Sequence, residues 1–84
     1  MSLDNIMNLS QGLKGERIRI TELHLSGIMR RRLLDLGFVP GAVVQVVRKS
    51  PLGDPIAYKV SQTTIALRKE ESSKILGERI DDVE

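Results

Sequence analysis

His24 is the only imidazole in a chain that contains no cysteine. On an extended segment Glu22, two residues earlier, projects to the same side, so the pair could offer one nitrogen and one oxygen to a metal, with Asp54 joining from a loop. A resident zinc or iron ion wants three or four converging ligands, and no thiolate is present to complete the set. We therefore expect no resident metal, no cofactor, and a structural or solvent-exposed His24. The serines offer hydroxyls, but only His24 could activate one, and no nucleophile elbow surrounds any of them. Glu70 and Glu71 are adjacent in a charged stretch, the pattern of a solvated turn. The glycines do not form the GxxxxGK[ST] phosphate loop; Gly12, Gly15, Gly37 and Gly41 read as turn residues instead. These absences argue against an enzyme.

What remains is recognition. Arg30, Arg31 and Arg32 are consecutive, and a helix fans them across more than half a turn, with Arg31 in reach of Asp35 at i, i+4. Pro51-Leu52-Gly53-Asp54-Pro55 is a loop stiffened by two prolines, so Leu52 at its tip is an apolar anchor that costs little to order on binding. The candidate partner-binding residues are Arg30, Arg31, Leu52, Gly53 and Asp54; the other reading is a solvated helix face and a hairpin tip that needs its residues for shape alone. Nucleic acid is disfavoured as the partner, since there is no helix-turn-helix and aromatic residues make up only 2% of the chain.

Positioning these groups falls to a short series of strands and one helix. Ile18 and Ile20 alternate with Arg17, Arg19 and Thr21, the period of a strand with one wet face. Ser26 can cap a helix that ends at Gly37, with Met29, Leu33 and Leu36 at i, i+4, i+7 and Ile28 beside them on the buried stripe. FVPG, Phe38 to Gly41, is a turn; Val43 to Val47 is a β-branched run; Ile56, Tyr58 and Val60 alternate after the proline loop, which therefore joins a hairpin. Thr63 to Leu67 is another strand, KEESSK a polar turn, and Ile75 with Leu76 begins a last short strand that Gly77 curtails. Five short strands around one helix predict a mostly β chain, a small barrel with one inserted α-helix, its edges closed on themselves or protected by Pro55 and nearby charges; a two-layer α+β sandwich is the alternative arrangement.

The 84 residues predict a single domain, residues 1–84, with a core from about 9 to 76. Four acids, Glu78, Asp81, Asp82 and Glu84, against Arg79 give 78–84 a net −3, which leaves +5 for the rest of a chain whose total is +2. We expect this acidic segment to be a frayed tail. The opening residues lack a signal-peptide pattern and no stretch approaches a spanning helix, which predicts a cytoplasmic protein without membrane insertion.

RRRLLDLGFVPG (Arg30 to Gly41), VVRKSPLGDPIAYKV (Val46 to Val60) and IALRKEE (Ile65 to Glu71) together resemble the FeoA family, in family order and spacing from about Leu9 to Leu76. Arg32, Leu33, Leu36 and Gly37 match its RLxxLG signature, Pro40 and Gly41 its PG turn, Pro51 to Pro55 its PLGDP loop, and Ala66, Leu67 and Arg68 its ALR. The resemblance implies an SH3-like β-barrel, no catalytic residues, and a partner in the cytoplasmic part of FeoB, the ferrous iron transporter. Related modules of iron- or manganese-responsive repressors imply an alternative, a detached regulatory module that binds a peptide or protein segment; a homo-oligomer is compatible with either. The chain departs from the family at Ser61-Gln62-Thr63, where a glycine is common, so either the turn has a different geometry here or Gln62 tolerates the strain of a left-handed backbone.

Overall fold

The computed structural model describes residues 6–80. Six strands occur, β1 (Ile6–Asn8), β2 (Arg17–Leu23), β3 (Val43–Lys49), β4 (Ile56–Val60), β5 (Thr63–Leu67) and β6 (Ile75–Ile80), with helices α1 (Gly27–Asp35) and α2 (Lys69–Ser72) and a 3-10 turn at Leu9–Gln11. The alternation read in the sequence is the burial pattern found: Ile18 and Ile20 face inward between exposed Arg19 and Thr21, and Val44, Val46, Ile56, Tyr58 and Val60 line the same interior. Phe38 and Tyr58 are the largest fully buried side chains, set among aliphatic neighbours.

The strands form one antiparallel sheet in the order β1-β6-β2-β3-β4-β5. This corrects the expectation of a closed SH3-like barrel. Among the described residues β1 and β5 stand at opposite ends and do not pair, so the sheet is open, and it has six strands rather than five. Closure needs a ladder between the two edge strands with matching tilt and stagger. β1 has only three residues before the chain turns at Leu9, and Leu9 is itself completely buried. Side chains thus close the core where a ladder would have to: Leu9, Leu33 of α1 and Phe38 cover it, and the Tyr58 hydroxyl donates to the Leu9 carbonyl at 3.0 Å.

β6 is longer than the sequence predicts. It runs to Ile80 between β1 and β2, and Gly77 is what permits this, since it pairs with Met7 on one side and Ile20 on the other. The strand is also pinned by charge, with Arg19 Nη1 to Glu78 Oε2 at 3.3 Å and Arg79 Nη1 to Glu16 Oε2 at 3.0 Å. Glu16 accepts from the Leu13 N–H as well, and that bond, against the opposing effect of burial and with help from Arg79, holds its carboxyl below the ordinary value. Glu78 and Arg79 are therefore strand residues, whereas 81–84 of the expected acidic tail lie outside the described residues.

The β4–β5 turn takes the different geometry that the sequence left open, and one local reading shifts by a face. The left-handed residue of the β4–β5 turn is Ser61, at φ 57°, and not Gln62. Ile28 is 88% exposed, not part of the buried stripe. At about 100° per residue, it lies about 140° around the helix from fully buried Leu33. Ser26 does occupy the position before α1, although its side chain makes no capping bond. Gly37 ends the helix at φ 109°, where the Phe38 N–H donates to the Leu33 carbonyl at 3.0 Å.

Candidate functional site

The proline loop is built around its own backbone. The Gly53 N–H donates to the Ser50 carbonyl at 2.8 Å, the Ser50 N–H donates to the Pro55 carbonyl at 3.2 Å, and Gly53 takes φ 85° to make the bend. Leu52 at the tip is 94% exposed, a large apolar side chain held outward by a braced turn.

Asp54 has a role the sequence did not disclose. Its Oδ1 accepts from the Lys69 N–H at 2.8 Å, so a side chain fifteen residues earlier satisfies an unpaired donor of α2. On the other side of α2, Glu71 Oε2 lies 3.7 Å from Arg32 Nη1, and its Oε1 accepts from the Arg68 N–H at 3.2 Å. Glu71 is 8% exposed, which corrects the reading of Glu70-Glu71 as a solvated pair. The four residues of α2 thus tie the proline loop, through Asp54, to the arginine helix, through Arg32.

Arg30 and Arg31 are exposed and make no ion pair among the described residues. The Arg31–Asp35 pair expected from spacing is not formed. Ile28, Arg31, Arg32, Asp35 and Leu36 line one outward stripe of α1, a mixed basic and apolar surface that the sequence reading assigned partly to the core. The missed signal was angular: Ile28 shares its face with Arg32 and Asp35, four and seven residues on.

His24 Nε2 does meet Glu22 Oε1, at 2.6 Å, with both side chains more than half exposed. No third ligand joins them: among the described residues no group of three or more His, Cys, Asp or Glu could hold a metal ion. No helix among them is long and apolar enough to cross a membrane.

The tie at Asp54 is testable. Asp54→Ala should lower the unfolding free energy by about 1 kcal/mol, the usual cost of losing a helix-terminal acceptor, and the melting temperature by about 4–8 °C for a domain of this size. Asp54→Asn keeps an oxygen acceptor and should lose much less. Thermal unfolding by circular dichroism separates the two; equal losses would show that charge rather than the hydrogen bond matters there.

With this geometry in hand, the comparisons with known proteins are specific. The FeoA domain model matches residues 7–79. A fusion protein of Fe(2+) transport protein A and Fe(2+) transporter FeoB from Porphyromonas gingivalis is 36% identical over 74 residues, 88% of this chain; the chain spans 9% of that protein's length. Among solved structures, iron(II) transport protein A from Clostridium thermocellum is 42% identical with a TM-score of 0.83, over 86% of this chain and 44% of that one. The FeoA protein from Chlorobium tepidum is 36% identical with a TM-score of 0.85, over 93% of this chain and 74% of that one. A model matched from the first described strand almost to the end of the last, with relatives above 30% identity, settles the assignment: this chain belongs to the FeoA family.

Proposed function

We propose that this chain is a non-catalytic accessory protein that binds the ferrous iron transporter FeoB from the cytoplasmic side and modulates it. One observation carries the reading: in the Porphyromonas gingivalis relative, the FeoA-like and FeoB parts are one polypeptide. A tether raises effective concentration, and the contact it promotes still needs a complementary surface on the FeoA-like module. The residues that supply such a surface are Leu52 and Gly53 at the loop tip, Asp54 as its anchor, and Arg30 and Arg31 on α1. Leu52 enters an apolar pocket with little ordering cost because its loop is already braced. The two arginines, free of intramolecular ion pairs among the described residues, steer an acidic partner and bond its carboxylates at the rim.

The test is a paired comparison by calorimetric titration and stopped-flow binding against the soluble cytoplasmic part of FeoB. Leu52→Ala should weaken binding roughly tenfold, as expected for an exposed anchor, with an unchanged urea midpoint. Arg30→Ala with Arg31→Ala should slow association several-fold and flatten its salt dependence. Affinity lost only in step with stability would place the contact face elsewhere.

A further inference from the structure

Among the described residues the open sheet leaves β5 paired on one side only, with β4 as its strand neighbour. A strand directs its backbone N–H and C=O groups alternately to its two sides, so an edge strand presents a row of groups without ladder partners. Proteins blunt such edges with Lys, Pro or a bulge. β5 has none of these: Thr63-Thr64-Ile65-Ala66-Leu67 carries no charge and no proline, and its register against β4 runs unbroken from Val60↔Thr63 to Ile56↔Leu67. Pro55, which the sequence reading made an edge guard, precedes β4 instead. Thr63, Thr64 and Ala66 are exposed.

Beside this edge lies a trough. Arg48, Ala57 and Ala66 form one cross-strand row on the outer face, and the two alanines leave a shallow floor that Pro51 and Pro55 wall at one end. Ser50 lines the same trough, and its Oγ is buried without a hydrogen-bond partner. Strands β3 to β5 carry charge of one sign, with exposed Asp54, in the loop between the two wall prolines, as the acid beside them. β3, β4 and β5 contain Arg48, Lys49 and Lys59 and no Asp or Glu. A second copy docking edge to edge would bring the same cations together, whereas an acidic strand is complementary.

We propose that the β5 edge accepts an extended, acidic segment of a partner protein as a seventh strand. Its backbone continues the ladder, a carboxylate reaches Lys59 on the neighbouring strand β4, and a small apolar side chain seats on Ala66. The inference does not rest on the FeoB reading; it follows from an unguarded edge next to a basic trough.

The experiment titrates the isotope-labelled full chain with an end-blocked ten-residue peptide alternating Glu with Val, and separately with its Lys-for-Glu counterpart, following amide shifts and hydrogen exchange. The Glu peptide should give saturable shifts at Thr63 to Leu67 and Ala57, slow exchange along β5, and bind at least about tenfold more tightly than the Lys peptide, with the difference shrinking at high salt. Ala66→Glu, at an exposed position, should weaken the Glu peptide about tenfold with an unchanged melting temperature. Equal binding of both peptides, no saturable binding of the Glu peptide, shifts that spare β5, or indifference to Ala66→Glu would each overturn the proposal. So would protection of the β5 amides in a peptide-free dimer seen by sedimentation, because a second copy would then be the occupant.

Discussion

Gly77→Val is expected to lower the unfolding free energy by about 3 kcal/mol, the upper part of the usual range for overpacking, and to bring the melting temperature down by well over 10 °C. A Cβ at Gly77 would stand 2.5 Å from the Arg19 carbonyl oxygen and 2.6 Å from Ile18 Cγ2. The first obstacle is backbone, so no rotamer change relieves it; β6 must move away from β2, and with it the Arg19–Glu78 pair. Gly12 is the informative control. A Cβ there would approach Val46 Cγ2 at 2.8 Å and Ile18 Cδ1 at 3.0 Å, side-chain atoms, with backbone no nearer than the Leu9 carbonyl oxygen at 3.4 Å. Gly12→Ala should therefore cost only about 1 kcal/mol. Urea unfolding of both variants measures the contrast; a Gly77→Val protein as stable as its parent would mean that β6 does not approach β2 as described.

The second large effect is alkaline. Tyr58 is fully buried, and burial pushes its hydroxyl up to about 12, opposed by the Ser72 hydroxyl and reinforced by the Asp54 carboxylate. The unfolded chain ionises this group near 10, so between about 10 and 12 the folded state holds a proton that the unfolded state has released. Stability from this group is complete below pH 10 and is lost as pH rises through 12. The loss is about 2–3 kcal/mol for a shift of this size. Tyr58→Phe removes the dependence, at a neutral-pH cost of about 1 kcal/mol for the bond to Leu9. That cost stays modest because the Leu9 carbonyl still accepts from the Gly12 N–H at 3.1 Å. Urea midpoints at stepped pH for both proteins cancel the lysine titrations they share. Parallel curves would show that Tyr58 ionises in the folded state as freely as in water.

What the sequence disclosed was local. Strand alternation at Ile18–Ile20 and Ile56–Val60, the helix ending at Gly37 and the hairpin loop at Pro51–Pro55 depend on neighbours within a few residues, and each is where periodicity and turn chemistry put it. The errors lie where distant segments decide. Whether β1 and β5 meet depends on how three residues and a 3-10 turn are spent at one end of the sheet, which no period records. Gly77 looked like a strand breaker because its partner, the Arg19 backbone, is fifty-eight residues away. Asp54 reads as a turn residue in PLGDP and becomes an acceptor for α2 only once the fold is made. Ile28 shows the opposite failure, a local pattern misassigned because an isoleucine beside a buried stripe was taken into it. The exposed tip at Leu52 was legible from residue type alone, whereas the Arg31–Asp35 pair that spacing offered is not among the ion pairs of the described residues.

The most direct test of the FeoB reading is amide shift mapping on the isotope-labelled full chain during titration with the soluble cytoplasmic part of FeoB from the same source. The account predicts saturable shifts centred on the α1 residues Ile28 to Arg31 and on the loop from Ser50 to Asp54, weakened by added salt. No saturable shift at partner concentrations of several hundred micromolar, or shifts that leave both segments unmoved, would contradict it.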